Sequence, residues 1–286
     1  MVKTKLIMVE GLPGSGKTTT AQLIHDILKD HNINAKLYLE GNVDHPADYE
    51  SASYFTKDEF AKLLAENSHF QASLLKQAEV LPEGYVLYRP KLTEEIGEAE
   101  MTESLQAKLW EHDIYELPLE VNMNLITEKW KRFCTTAMAS DDPYIFECCF
   151  IQNPVTIGMI KYGASEEVVQ KYVEGLAAAI QPLNPILVYV NQQDLSESFK
   201  KAVKERPEEW SNGFMGYYND QGYGKKQGAV GIEGTLAVLK ARQQLESKIY
   251  DSLKLAKFKT DNSEFDLALH KARLVELLAS DSKIHS

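Results

Sequence analysis

The chain has few cysteines, no long apolar run and no basic cluster, and each shortage excludes something. The cysteines are Cys134, Cys148 and Cys149. An adjacent pair with one distant residue has neither zinc-site spacing nor the pattern of a disulfide framework. They read as buried, reduced thiols that pack as small hydrophobes. No segment approaches the roughly 18 apolar residues that cross a bilayer, so no membrane partner is expected. The opening MVKTK and the four apolar residues after it are too short for a secretory apolar region, and a cytoplasmic protein is the expectation. Internal repeats and low-complexity tracts are absent. The net charge is −11, from 31 Lys and Arg against 42 Asp and Glu. A protein that grips a nucleic-acid backbone carries a basic face, so no nucleic-acid partner is expected.

What the chain does have is GLPGSGKT, Gly11 to Thr18, between the apolar run Leu6 to Val9 and a helical pattern carrying Ala21, Ile24, Ile27 and Leu28. This is G-x-x-x-x-G-K-[ST] in the strand–loop–helix setting the motif requires. Gly11, Gly14 and Gly16 permit backbone conformations that a β-carbon would forbid, so successive N–H groups can face one point. The helix that begins near Lys17 adds its positive dipole end there. Lys17 supplies a cation for the β- and γ-phosphates, and the Thr18 hydroxyl can ligate Mg²⁺. The stretch predicts a nucleotide-binding site.

At 286 residues the chain can bury a large core, and a single α/β domain over 1–286 is expected. A second strand is read at Ala35 to Leu39, ending at Glu40. Residues 56–117 read as a helical insertion suited to a substrate-side cap, with Thr56 and Glu59 forming a capping box at its start. Within it, GYVLYRPKL is either a short strand or an extended loop. Leu119 to Met138 reads as a long helix, and YIFECCF as a buried strand with Glu147 at its carboxyl end. A helix capped by Ser165 follows, and then PILVYV, the most strand-like run. Residues 199–234 form the expected mobile lid, glycine-rich from Ser211 onward with little apolar periodicity. The last elements are a helix from Thr235 to Leu253, a short strand at AKFKT and a helix from Phe265 to Leu278. The alternation describes a doubly wound, five-stranded parallel sheet, with ligands beyond the carboxyl ends of its strands.

These parts resemble the P-loop kinases of small metabolites, above all the deoxynucleoside and thymidylate kinase branch. GLPGSGKTT resembles their phosphate loop, YLEGN the second strand ending in a glutamate, YIFECCF the third strand with a glutamate near the metal, PILVYVNQQD…FKKAVKER the fourth strand and basic lid helix, and KFKTDNS the strand and loop passing the adenine. The resemblance implies ATP and Mg²⁺ as cofactors. It implies Gly11, Pro13, Gly14, Ser15, Gly16, Lys17, Thr18, Thr19 and Asn262 around the nucleotide, and Thr18 with Glu147 at the metal. Lys17, Glu40, Glu147 and Arg206 are the implied catalytic residues, with Glu40 as base for an acceptor hydroxyl and Glu147 as its rival. Two departures stand out. Cys148 occupies the position where the family places an arginine, and the lid offers only Lys201, Lys204 and Arg206.

Transfer of the γ-phosphoryl group of ATP to a small-molecule acceptor, by analogy a nucleoside or nucleotide, is therefore the leading expectation; a homodimer is compatible with it. A regulatory switch with slow hydrolysis is the alternative, alongside a binding module without transfer. For the switch, NQQD at 191–194 faintly resembles the guanine-reading Asn-Lys-x-Asp motif, but Gln192 replaces its lysine and no Asp-x-x-Gly follows the third strand. Several residues keep two readings. Glu40 is a base or a solvated carboxylate, Arg206 a lid cation or the partner of Glu208 or Glu209, and His45 a turn residue or a catalyst. The tyrosines 217, 218 and 223 line a pocket or cover the core.

Overall fold

Strand β1 (Leu6–Gly11) is buried at all six positions, which is the environment that selects an apolar run without alternation. The computed structural model describes residues 4–192, 194–264 and 266–280, with the side chains of 198, 201, 279 and 280 also outside the description. β1 pairs in parallel with β6 (Tyr144–Glu147) on one side and β7 (Ile186–Asn191) on the other. β2 (Lys36–Tyr38) adds beside β6 and β8 (Ala256–Asp261) beside β7, again in parallel. The result is a five-stranded sheet in the order β2-β6-β1-β7-β8, flanked by helices as expected for a doubly wound α/β fold. Helix α1 (Lys17–Asp30) buries Ala21, Ile24, Ile27 and Leu28 against Ile7, Val9, Ile145 and Val188 of the sheet. Ser165 caps α8 (Glu166–Ile180) through the Val168 N–H.

Contacts divide the chain into two compact units, Met1–Glu40 with Thr127–Ser286, and Gly41–Ile126. The smaller takes in the 56–117 stretch and extends beyond it at both ends. It is not purely helical. β3 (Ala52–Thr56), β4 (Glu79–Leu81) and β5 (Gly84–Tyr88) form an antiparallel sheet in the order β3-β5-β4, so GYVLY is a strand. Helices α2 (Lys57–Glu66), α3 (Gln71–Gln77), α4 (Arg89–Ile96) and α5 (Glu103–Glu111) accompany it. The capping box at the start of α2 is formed, both halves of it. Phe55, Phe60, Leu63, Leu74, Leu87 and Leu105 make this unit's own core. Helix α6 (Leu119–Met138) leaves it and enters the larger unit, where Trp130 is fully buried among Phe133, Phe146 and Phe150.

The glycine-rich stretch is also more regular than its sequence. After α7 (Gln152–Val155) and α9 (Leu195–Glu205) come α10 (Glu208–Asn219), α11 (Gly222–Lys226) and α12 (Gly231–Ser252). The reason lies in backbone approach. A β-carbon at Gly224 would fall 1.9 Å from the Tyr218 carbonyl oxygen, and one at Gly222 2.1 Å from that of Ile160. These glycines serve contact between helices rather than a missing structure. The chain closes with α13 (Leu267–Ser280). Among the described residues no helix is long and apolar enough to cross a membrane.

Candidate active site

The phosphate loop leaves β1 at Gly11 (φ +151°), where a β-carbon would lie 2.5 Å from the Val190 carbonyl oxygen. Gly14 and Gly16 take φ of +81° and +91°, so all three motif glycines are used as the sequence requires. Gly16 is the N-cap of α1 and offers no capping side chain, and the first turn holds no acidic residue. The first N–H groups of α1 are thereby left for an anion. Ser15 is buried, and its hydroxyl oxygen has no hydrogen-bond partner. Lys17 is buried too, its Nζ donating to the Leu12 carbonyl at 3.0 Å. An uncommitted buried hydroxyl, a folded-back cation and an uncapped helix start fit a polyphosphate.

Two distant amides brace this loop. Asn262 Nδ2 donates to the Ser15 carbonyl (2.9 Å), and a β-carbon at Gly16 would meet it at 2.4 Å. Gln192 Nε2 donates to the Gly14 carbonyl (3.1 Å). Asn262 thus joins the loop, although at its carbonyl side. The NQQD stretch is occupied otherwise than by a base: Gln192 holds the loop and Asp194 caps α9 through the Glu197 N–H, while Gln193 lies outside the described residues.

Because β2, β6 and β1 are neighbours, their carboxyl ends bring Glu40, Glu147 and the loop together. Thr18 Oγ1 donates to Glu147 Oε1 at 2.6 Å, and the Glu40 N–H donates to Glu147 Oε2 at 3.2 Å. Glu147 is buried, whereas Glu40 is exposed. The Glu40 carboxylate is nonetheless held by two donors, Gln152 Nε2 at 3.1 Å and the Cys148 thiol at 3.4 Å. Cys148 is therefore more than a packing group. It sits at φ +70°, a conformation uncommon for a residue with a β-carbon. Burial pushes its thiol far above the ordinary value against the pull of Lys17, and Glu10, Glu40 and Glu147 push the same way. It stays a protonated donor. The ligating atoms of Glu40, Glu147 and Cys148 lie within 4.8 Å of one another. With the thiol protonated, what remains for a cation is carboxylate and hydroxyl oxygen, a donor set that suits Mg²⁺.

Arg206 is not gathered into this group. It is exposed and its guanidinium lies 4.4 Å from the Trp210 ring centroid; among the described residues it makes no polar contact with the loop. The indole it lies over, rather than Glu208 or Glu209, is its partner. Lys204 is exposed, and the Lys201 side chain lies outside the described residues. Pro13 is half-buried and Thr19 exposed, both on the loop or the first turn of α1. His45 accepts a hydrogen bond at Nδ1 from the Ala47 N–H, as a turn residue does.

The residues that sequence reasoning missed are Glu10, Gln152, Arg242 and Glu246. Glu10 is wholly buried in β1 and accepts the N–H groups of Phe150 (2.7 Å) and Gln152 (2.8 Å). Arg242, also buried, donates from Nε to Glu246 Oε1 (2.7 Å), from Nη1 to the Tyr218 hydroxyl (2.5 Å) and from Nη2 to the Gln152 carbonyl (3.2 Å). Tyr189 takes the other Glu246 oxygen at 2.7 Å. The available signals were a carboxylate inside an apolar strand and an Arg–Glu pair four residues apart on a core helix.

Burial pushes the Glu10 carboxyl up from 4.5 to about 7, despite the N–H groups of Gln152, Phe150 and Ile151, and Glu246 adds to it. The folded state then binds this proton more tightly than the unfolded one. Its contribution is full below pH 4.5 and is lost as pH rises to about 7, by about 3 kcal/mol. The Glu10 charge in turn pushes up the Cys148 thiol and the Tyr189 hydroxyl. Urea unfolding from about pH 5 to about pH 8 will show wild type losing stability relative to Glu10→Gln. Parallel curves for the two proteins would rule out this titration.

No family model matches the sequence, and no curated protein matches it. Among solved structures the chain is similar to the thymidylate kinase of Candida albicans, with 12% identity over 99% of this chain and 94% of that one and a TM-score of 0.44.

Proposed function

We propose that this protein is a phosphotransferase that uses ATP and Mg²⁺ to phosphorylate a hydroxyl or phosphate of a small metabolite. The observation that carries the reading is the grouping of Thr18, Glu147 and Glu40 beside the phosphate loop. Binding of polyphosphate alone would need only the loop; a second carboxylate held by its own donors suits an acceptor. A nucleoside or nucleotide is the first class to test, on the sequence resemblance to deoxynucleoside and thymidylate kinases. When bound, ATP·Mg²⁺ supplies the transferable phosphoryl group and neutralises its developing charge. The chain's residues do the rest. Backbone N–H groups at the start of α1 hold the phosphates, and Lys17 exchanges the Leu12 carbonyl for a phosphate oxygen. Thr18 and Glu147 offer oxygen donors to the metal. Glu40, oriented by Gln152 and Cys148, takes the proton of an acceptor hydroxyl. The 199–234 segment, with Lys204 and Arg206, is proposed to close over the site and exclude water.

The test measures ATP turnover with and without a panel of nucleosides, nucleotides and hydroxylated compounds, in Mg²⁺ and in EDTA. One acceptor should stimulate turnover, and EDTA should abolish it. A slow hydrolysis indifferent to every acceptor would select a nucleotide switch instead, and full activity in EDTA would remove the metal from the reading.

A further inference from the structure

Gln152 spends three polar groups in three directions. Its N–H goes to Glu10, its carbonyl receives Arg242 beside the Thr156 hydroxyl, and its side-chain Nε2 reaches Glu40. Its own Oε1 is buried without a hydrogen-bond partner among the described residues, which leave that end of the amide unheld. The backbone of this residue is thus fixed by two buried charges, and the amide it carries is aimed at the exposed carboxylate assigned as base. The same segment, 148–152, begins with Cys148, the second donor to Glu40, at a positive φ.

We propose that Glu10 and Arg242 are positioning residues for Glu40, acting through the 148–152 turn that one grips by its N–H groups and the other by its carbonyl. The proposal rests on the phosphotransferase reading and extends it to two residues that reach Glu40 only through others.

Stability alone does not account for this arrangement. Three buried ionisable groups, Glu10, Arg242 and Glu246, stand where apolar residues would serve a core as well or better. Their hydrogen bonds converge on one short turn rather than on each other alone. Arg242 and Glu246 form an ion pair whose remaining donors and acceptors go to Tyr218, Tyr189 and Gln152. Among the described residues Glu10 pairs with no cation and spends both oxygens on N–H groups of the turn. A carboxylate kept in an apolar strand at a cost in stability is the mark of a group retained for use. Because Tyr218 lies on α10, the same guanidinium also ties the turn to the 199–234 segment.

The test compares full-length wild type with Glu10→Gln and Arg242→Lys. Affinity for ATP·Mg²⁺, read by calorimetry, should stay within about threefold, because the phosphate loop is untouched. Amide exchange across 148–152 should accelerate about tenfold or more, and kcat for transfer should fall about tenfold to a hundredfold with little change in acceptor KM. The melting temperature of Glu10→Gln near pH 8 should not fall, which a residue that served only stability would not allow. Unchanged exchange in both variants overturns the grip on the turn. Faster exchange with kcat within about threefold of wild type overturns the link from the turn to Glu40. If wild type phosphorylates no acceptor, the phosphotransferase reading fails and the positioning role with it, while the exchange rates still decide the grip. Should Glu10→Gln not fold, Tyr218→Phe removes one guanidinium partner, keeps both charges, and is judged by the same exchange and kcat readings.

Discussion

Lys17→Ala will lose phosphoryl transfer by on the order of a thousandfold or more and will still fold. The magnitude is that of removing a preorganised charge from the place where transition-state charge develops. The fold survives because, among the described residues, the Lys17 ammonium makes one hydrogen bond, to the Leu12 carbonyl. Losing that donor leaves one carbonyl short of a partner, a cost of about 1 kcal/mol. The buried aliphatic stem contributes packing that alanine partly keeps. A coupled assay at saturating ATP, together with thermal melting, separates the two effects. Transfer close to wild type would mean that this loop is not the phosphoryl site, whatever its sequence.

Glu40→Gln will bind ATP·Mg²⁺ with little change and lose transfer by on the order of a hundredfold, the size of a general-base effect. Glu40 follows β2 and has its N–H on Glu147, so its backbone is anchored whatever the side chain. The carboxylate receives Gln152 Nε2 and the Cys148 thiol, both donors. An amide of the same shape can accept through only one atom, so the substitution removes the charge and breaks one of the two bonds. Glu147 is the rival base, but both of its oxygens are engaged, one by the Thr18 hydroxyl and one by the Glu40 N–H. An acid occupied in this way is poorly placed to take a proton as well. Single-turnover rates with pre-bound ATP are the measurement. A variant within about threefold of wild type would retire Glu40 as base and leave Glu147 to be tested next.

How much of this could be read from the sequence depended on the range of the interactions. The phosphate loop was legible because its requirements are local: three glycines at positive φ, a lysine and a threonine at a helix start. The parallel sheet was legible from β6 and β7, whose uninterrupted apolar residues match burial on both faces. The antiparallel sheet of the smaller unit was not, since β4 is three residues long, too short for an alternating pattern to show. Helices α10 and α11 were missed because glycine contributes nothing to an apolar stripe, whether it bends the chain or lets two backbones approach. Arg242 and Glu10 lay furthest from view. Each is tied to Gln152, 90 and 142 residues away, and no spacing rule reaches so far.

The brace on the phosphate loop bears on how the protein comes to be functional during synthesis. The motif at Gly11 to Thr18 leaves the ribosome well before its supports, for two of its carbonyls are held by side chains 178 and 247 positions later. Closing such long loops comes late and costs entropy that local contacts do not repay. A nascent chain therefore carries the whole motif through those intervening residues before either brace is in place. Only when β8 has paired with β7 and Asn262 has reached Ser15 does the loop acquire its final support. The final shape of the loop is thus reached late, and a ribosome-bound fragment ending before β8 holds the motif without its Asn262 support.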